Sequence, residues 1–141
     1  MFGKKRKEKI VEKRTVLFVD DDEIVLQSLE RGLLAESYNK LFAKSCQEAL
    51  EILQQEEVHV IVADMCMPEM TGLELLRHVR KECPSVIGMV LSGYEEDADL
   101  QVAVEQGEIF KLVSKPWKFG GVDFEKLIRR AIAHYNLQLI R

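Results

Sequence analysis

Five short runs rich in β-branched and aliphatic residues, each followed by a stretch with helical periodicity, constrain this chain more than any other feature. The runs are Thr15–Val19, Tyr38–Ala43, Val58–Ala63, Val86–Leu91 and Ile109–Val113, and polar or turn residues bound each of them. Such segments predict β-strands. Three are apolar at nearly every position, which implies a parallel sheet covered on both faces. Between them, apolar residues recur as one stripe of an amphipathic helix: Val25, Leu29, Gly32 and Leu33; Cys46, Ala49, Leu50 and Leu53; Leu75, Leu76 and Val79; Phe124, Leu127, Ile128 and Ala131. Ser45-x-x-Glu48 reads as a capping box, Thr71 as an N-cap, and Cys83-Pro84 as the stop of the third helix. The stretch from about Glu95 to Gln106 is the least regular helix, with an acidic opening and only Leu100, Val102, Ala103 and Val104 apolar. The order βαβαβαβαβα predicts a doubly wound α/β fold of five parallel strands and five helices with right-handed crossovers.

Composition fits one soluble domain. The chain has 141 residues, 47% hydrophobic and 31% charged, with a formal net charge of −4. At this length a core forms without disulfides or a structural metal, which sets aside fibrous, disordered and disulfide-rich classes. Cys46, Cys66 and Cys83 are odd in number and form no C-x-x-C pair, so the expected compartment is the reducing cytoplasm. No apolar stretch approaches the roughly 20 residues a membrane-spanning helix needs. Residues 1–14 carry a net charge of +5 and the remainder −9. The basic segment lacks a following apolar region, so it reads as a poorly ordered leader and not as an export signal. The expected organisation is a leader over 1–14, the domain over 15–134, and the end of the fifth helix over 135–141, a linker to a further domain.

In an open parallel sheet, ligands gather beyond the carboxyl ends of the strands. Asp20-Asp21-Asp22-Glu23 follows the first run, Asp64 the third, Ser92-Gly93 the fourth, and Ser114-Lys115-Pro116 the fifth. Carboxylates about 4 Å apart repel by roughly 1 kcal/mol in water and about 4 at an effective dielectric of 20, so stability does not gather them. A hard divalent cation with an all-oxygen ligand set resolves the repulsion, and Mg²⁺ suits it best. Lys115 and Ser92 add donors for a negatively charged ligand, for which phosphate is the natural candidate. Beside Mg²⁺ and a lysine, an aspartate can attack an electrophilic phosphoryl group and become an aspartyl-phosphate. Taken singly, Asp22 is a helix N-cap, and Asp64 or Lys115 a solvated loop charge; their joint arrival at one edge reverses that reading. His59, His78 and His134 show no metal-ligand spacing, and Met67 and Met70 read as loop-packing residues.

Val16-Leu-Phe-Val-Asp-Asp-Asp22, Val60-Ile-Val-Ala-Asp-Met-Cys-Met-Pro-Glu-Met-Thr-Gly72, Val90-Leu-Ser-Gly-Tyr94 and Leu112-Val-Ser-Lys-Pro-Trp117 together resemble the four signature segments of the bacterial response-regulator receiver domain. The resemblance runs from about Thr15 to His134 and implies a flavodoxin-like sheet of order 2-1-3-4-5. It implies that Asp64 accepts a phosphoryl group from a histidine kinase. It further implies Mg²⁺ held by Asp21 directly, by Asp20 through water, by Asp64 and by the Cys66 backbone carbonyl. Ser92 and Lys115 would contact phosphoryl oxygens, Gly93 would leave room for the donor, and Lys115–Pro116 would be a cis bond. Such a domain is a switch and not a turnover enzyme, acting on an output domain or a target protein, with room for a homodimer through the fourth helix and fifth strand. Direct nucleic-acid or membrane binding is not expected of it.

One position departs from the family pattern. Receivers commonly carry Tyr or Phe three residues before the lysine, where this chain has Leu112, so coupling through that side chain is expected to be weakened or rerouted, with Phe110 or Tyr94 as substitutes. The apolar stripe Ile128, Ile132, Tyr135, Leu139 outruns the sheet, and with the Lys-Pro-Trp ending it resembles receivers joined to output domains such as HD-GYP phosphodiesterases. A phosphorylation-independent adaptor and an aspartyl-phosphate hydrolase are the alternatives. Retention of Asp20, Asp21, Asp64, Ser92 and Lys115 argues against the first. Cys66, standing where those hydrolases carry a second acid, argues against the other.

Overall fold

The computed structural model describes residues 13–93, 98–114 and 123–140. Strands β1 (Thr15–Val19), β2 (Asn39–Ala43), β3 (Val60–Asp64), β4 (Ile87–Ser92) and β5 (Lys111–Ser114) alternate with helices α1 (Glu23–Gly32), α2 (Cys46–Gln55), α3 (Gly72–Glu82), α4 (Ala98–Glu105) and α5 (Asp123–Gln138). The sheet order is β2-β1-β3-β4-β5 with every neighbouring pair parallel, as the sequence predicts.

Alternation along the strands builds two cores. Val16, Phe18, Val60, Val62, Met89 and Leu91 face α1 and α5, where Leu29, Phe124 and Ile128 meet them. Leu17, Val19, Ile61, Ala63 and Val90 face α2, α3 and α4. Each fully buried aliphatic or aromatic side chain contributes about 1.5–3 kcal/mol relative to exposure. The central strands β1 and β3 are buried at every position, which accounts for their lack of polar alternation.

The first strand has the expected limits, and those of the other four differ from the sequence reading by one or two residues, as at β5. Ile109 precedes it because its N–H serves the Ala103 carbonyl at the end of α4 (3.3 Å), whereas the Phe110 N–H already bonds the carbonyl of Gly88 in β4 (2.8 Å), the contact by which the chain joins the sheet. The predicted caps form. The Asp22 carboxylate accepts the Ile24 N–H (2.9 Å), and Thr71 with Glu74 makes a complete capping box. At α2 the reciprocal pair is displaced: Ser45 Oγ accepts the Glu48 N–H (3.0 Å), but Glu48 Oε1 takes the N–H of Lys44 (2.7 Å) and not that of Ser45.

Helix α4 is the least amphipathic, burying only Leu100 and Ala103. Its C-terminal end is firmly fastened. Gly107 adopts φ 77°, a left-handed conformation that glycine supplies without strain. The Glu108 N–H returns to the Ala103 carbonyl (2.9 Å), Arg80 Nη1 donates to the Gly107 carbonyl (3.0 Å), and Arg77 binds both Glu108 oxygens (3.0 and 3.2 Å).

Arg14, the last residue of the expected leader, is anchored. Its carbonyl accepts the Asn39 N–H (2.9 Å), its Nε donates to Asn136 Oδ1 (2.7 Å), and its guanidinium lies 5.3 Å from the Tyr135 ring centre. Buried His59 accepts the Thr15 N–H at Nδ1 (2.9 Å), so the neutral ring carries its proton on Nε2, and it stands edge-on to Tyr135. The three cysteines are free, and no helix among the described residues is long and apolar enough to cross a membrane.

At the start of α3, Gly72 lies so close to the end of β3 that a Cβ there would collide with the Asp64 carbonyl oxygen, 3.0 Å from its carbon and 3.2 Å from Met65 Cα. These are backbone atoms that cannot swing aside. Gly72→Ala is therefore expected to lower stability by about 1–3 kcal/mol, read from urea unfolding midpoints.

Arg129 on α5 donates two hydrogen bonds to Glu36 (2.9 and 2.6 Å), and this guanidinium holds the Glu36 carboxyl below its ordinary value of 4.5 against the opposing effect of burial. A depressed carboxylate stabilises the fold above its unfolded pKa and loses that contribution as pH falls through the folded one. Because Arg129 is largely exposed, Arg129→Gln should cost no more than about 1 kcal/mol at neutral pH. Thermal unfolding across pH should show the wild-type advantage shrinking below pH 4.5.

Candidate functional site

Parallel pairing brings the C-terminal ends of β1, β3 and β4 to one edge. Asp20 and Asp21 leave β1, Asp64 closes β3, and Ser92 closes β4. Carboxylate oxygens of Asp20, Asp21 and Asp64 all lie within 4.8 Å of one another. Asp20 is 1% exposed and Asp64 6%, whereas Asp21 opens to solvent. Two nearly buried carboxylates beside a third are costly unless something positive or strongly hydrogen-bonding meets them.

Local structure holds each group in place. The Asp20 N–H donates to the Ala43 carbonyl (3.1 Å), and its Oδ1 accepts the Asp22 N–H (2.9 Å), which fixes the turn into α1. Asp64 is set by main-chain contacts on two sides. The Met65 N–H bonds the Leu91 carbonyl (2.8 Å), tying the end of β3 to β4, and Gly72 N–H bonds the Met65 carbonyl (3.0 Å), drawing α3 against the same turn. Ser92 is 2% exposed and pairs in register with Ser114, the residue before Lys115 in sequence. Gly93 faces open space, since a Cβ there would meet nothing within 4 Å.

The donor set is all carboxylate oxygen, two of its members buried and one open to water. That pattern fits a hard divalent cation that keeps part of its water shell, and it offers no soft ligand. Cys66 is exposed, and its thiol is outside the group of three. Burial raises the Cys46 thiol pKa, and its Sγ contacts the Met70 carbonyl at 3.8 Å, which marks it as a packing residue. Met65, Met67 and Met70 pack on the α2–α3–α4 core, as loop-packing residues should.

Lys115, Pro116, Trp117 and Tyr94 lie outside the described residues, so the expected lysine contact, the cis bond and one of the two substitutes for the switch aromatic lie there too. Leu112 packs partly buried on the α2–α3–α4 side. Phe110 is on the other side of the sheet, its ring 5.1 Å from that of His134 on α5. It does not stand beside Leu112. Gly72 is the positioning residue that sequence reasoning missed. Its signal was a glycine at the first position of a helix already provided with a threonine cap, where glycine is a poor choice unless space is short.

Comparisons with known proteins agree with this geometry. Residues 16–129 match the family model described as the response regulator receiver domain. The chain is 35% identical over 106 residues to the hydrogenase transcriptional regulatory protein HoxA of Cupriavidus necator, covering 75% of this chain and 22% of that protein. It thus spans about a quarter of the length of the curated relatives it matches first. Among solved structures, the signal receiver domain of an HD domain-containing protein from Pseudomonas fluorescens Pf-5 superimposes with a TM-score of 0.80 at 30% identity, covering 89% of this chain and 98% of that one. The beryllofluoride-activated NtrC4 receiver domain dimer superimposes with a TM-score of 0.76 at 27% identity, covering 86% and 98%. A parallel sheet that gathers three carboxylates at one edge, together with a family match over most of the chain, places it in the response-regulator receiver domain family.

Proposed function

We propose that Asp64 is the phosphoacceptor of a two-component signalling switch and that Asp20 and Asp21 hold a Mg²⁺ ion beside it. The observation that carries this reading is the approach of the three carboxylates to within 4.8 Å with Asp20 and Asp64 buried. Bound there, Mg²⁺ supplies positive charge that offsets the carboxylates and the incoming phosphoryl oxygens. Asp64 provides the attacking oxygen, presented at a fixed point by the main-chain contacts of the β3 end. The Cys66 backbone carbonyl completes the metal ligands. Ser92 and Lys115 donate to phosphoryl oxygens once the acyl phosphate has formed.

The new phosphoryl group carries nearly two negative charges, and closure of the Ser92 side on it biases the neighbouring α4 and β5. A histidine kinase is the donor, and an output domain or separate target reads the change. Two kinds of relative support an output role: HoxA is a transcriptional regulatory protein, and the Pseudomonas fluorescens receiver belongs to an HD domain-containing protein. The basic leader over 1–14 and the segment 135–141 flank the receiver in this arrangement, with Arg14 and Tyr135 packed on the domain and the end of α5 leading into a linker. A homodimer through α4 and β5 has support from the NtrC4 receiver, which is a dimer in its beryllofluoride-activated form. The working compartment is the cytoplasm.

Intact mass spectrometry after incubation with acetyl phosphate tests the assignment. The wild-type chain should gain one phosphoryl group with Mg²⁺ and none once EDTA removes the metal. Asp64→Asn should remain unmodified while keeping its far-UV circular dichroism. Asp21→Asn should raise the Mg²⁺ concentration needed for half-modification by tenfold or more, about 1.4 kcal/mol of metal affinity. Full modification of Asp64→Asn, or modification indifferent to EDTA, overturns the reading.

A further inference from the structure

At the other end of the sheet from the carboxylates, where β4 begins and the chain enters β5, a cavity of about 310 Å³ opens between α3, the α4–β5 corner and α5. This volume falls at the small end of the roughly 300–1,000 Å³ typical of ligand sites, which suits a small ligand. Ile61, Leu76, Val79 and Ile109 supply apolar walls, all of them core residues. The Phe110 and His134 rings lie together at another wall, 5.1 Å apart and tilted by 35°. Such a ring pair offers a face on which a further aromatic ring can pack.

The charge at the cavity is not balanced. Arg77 binds Glu108 through two hydrogen bonds and Arg80 also acts on that carboxylate, so two guanidinium groups face one carboxylate and this edge carries one net positive charge. Arg80 uses one N–H on the Gly107 carbonyl (3.0 Å), and its guanidinium is otherwise exposed at the mouth of the cavity, with further N–H groups to offer a ligand. A guanidinium with N–H groups to spare pairs best with a planar carboxylate. Gln138 closes one side by donating to the Ser85 carbonyl (3.0 Å).

We infer that this cavity is a second ligand site, separate from the acidic cluster, that takes a small aromatic carboxylate with its ring against Phe110 and His134 and its carboxylate on Arg80. Its walls include Val104 and Gly107 at the end of α4, so a ligand there touches the fastened corner of that helix.

Sodium benzoate is the probe, with benzamide as its uncharged match, followed by methyl-resolved NMR of the full-length chain. Benzoate should shift the Ile61, Leu76, Val79 and Ile109 methyl signals saturably, and benzamide should bind at least tenfold more weakly. Arg80→Gln should remove that preference, weakening benzoate about tenfold or more. Because Arg80 also holds the Gly107 carbonyl, a second variant keeps its charge: Val104→Phe narrows the cavity and should abolish benzoate shifts with Arg80 in place. The shifts should survive Asp64→Asn, since the site does not depend on the acceptor carboxylate. Non-saturable shifts, shifts elsewhere, equal binding of benzamide, or benzoate binding unchanged in both cavity variants would each overturn the inference.

Discussion

Like charge held at close quarters is the condition around which this structure is arranged. Asp20 and Asp64 are almost fully buried and within 4.8 Å of each other and of Asp21. Two carboxylates at that separation repel by some 1–4 kcal/mol, depending on how much water reaches them. The fold offsets this with two hydrophobic cores on either side of the sheet, and with main-chain bonds that fix the backbone from which Asp20 and Asp64 project. A cluster that resists relaxation in this way is preorganised: a cation or phosphoryl group entering it meets groups already in position.

The topology was legible because each strand carries its own statement of burial. Val16-Leu-Phe-Val19 and Val60-Ile-Val-Ala63 contain no polar residue, and only a position covered on both faces permits that. Once those two strands are neighbours, the residues that follow them must meet, so Asp20, Asp21 and Asp64 could be grouped from order alone. Elements defined by competition between hydrogen-bond partners were harder to place. The beginning of β5 turns on whether Ile109 serves the end of α4 or the sheet, and Glu48 chooses the Lys44 N–H over that of Ser45. Neither choice leaves a mark in hydrophobic periodicity.

Gly72 and Phe110 show the same limit at the level of single residues. The importance of Gly72 lies in the distance between two backbone segments, a quantity that no side-chain pattern encodes. Phe110 stands two residues from Leu112, a spacing that puts side chains on one face of a regular strand. The strand begins only at Lys111, so the alternation is broken and Phe110 goes to the α5 side while Leu112 goes to the other. The aromatic substitute suggested by spacing is thus separated from Leu112 by the thickness of the sheet.

The contacts around Arg14 give β1 and α5 a common mechanical fate. Its backbone joins the edge of β2, its side chain grips Asn136 and covers Tyr135, and Tyr135 leans on His59, whose ring holds the first amide of β1. The tip of α5 is thereby tied to the first residue of the strand that carries Asp20 and Asp21 at its far end.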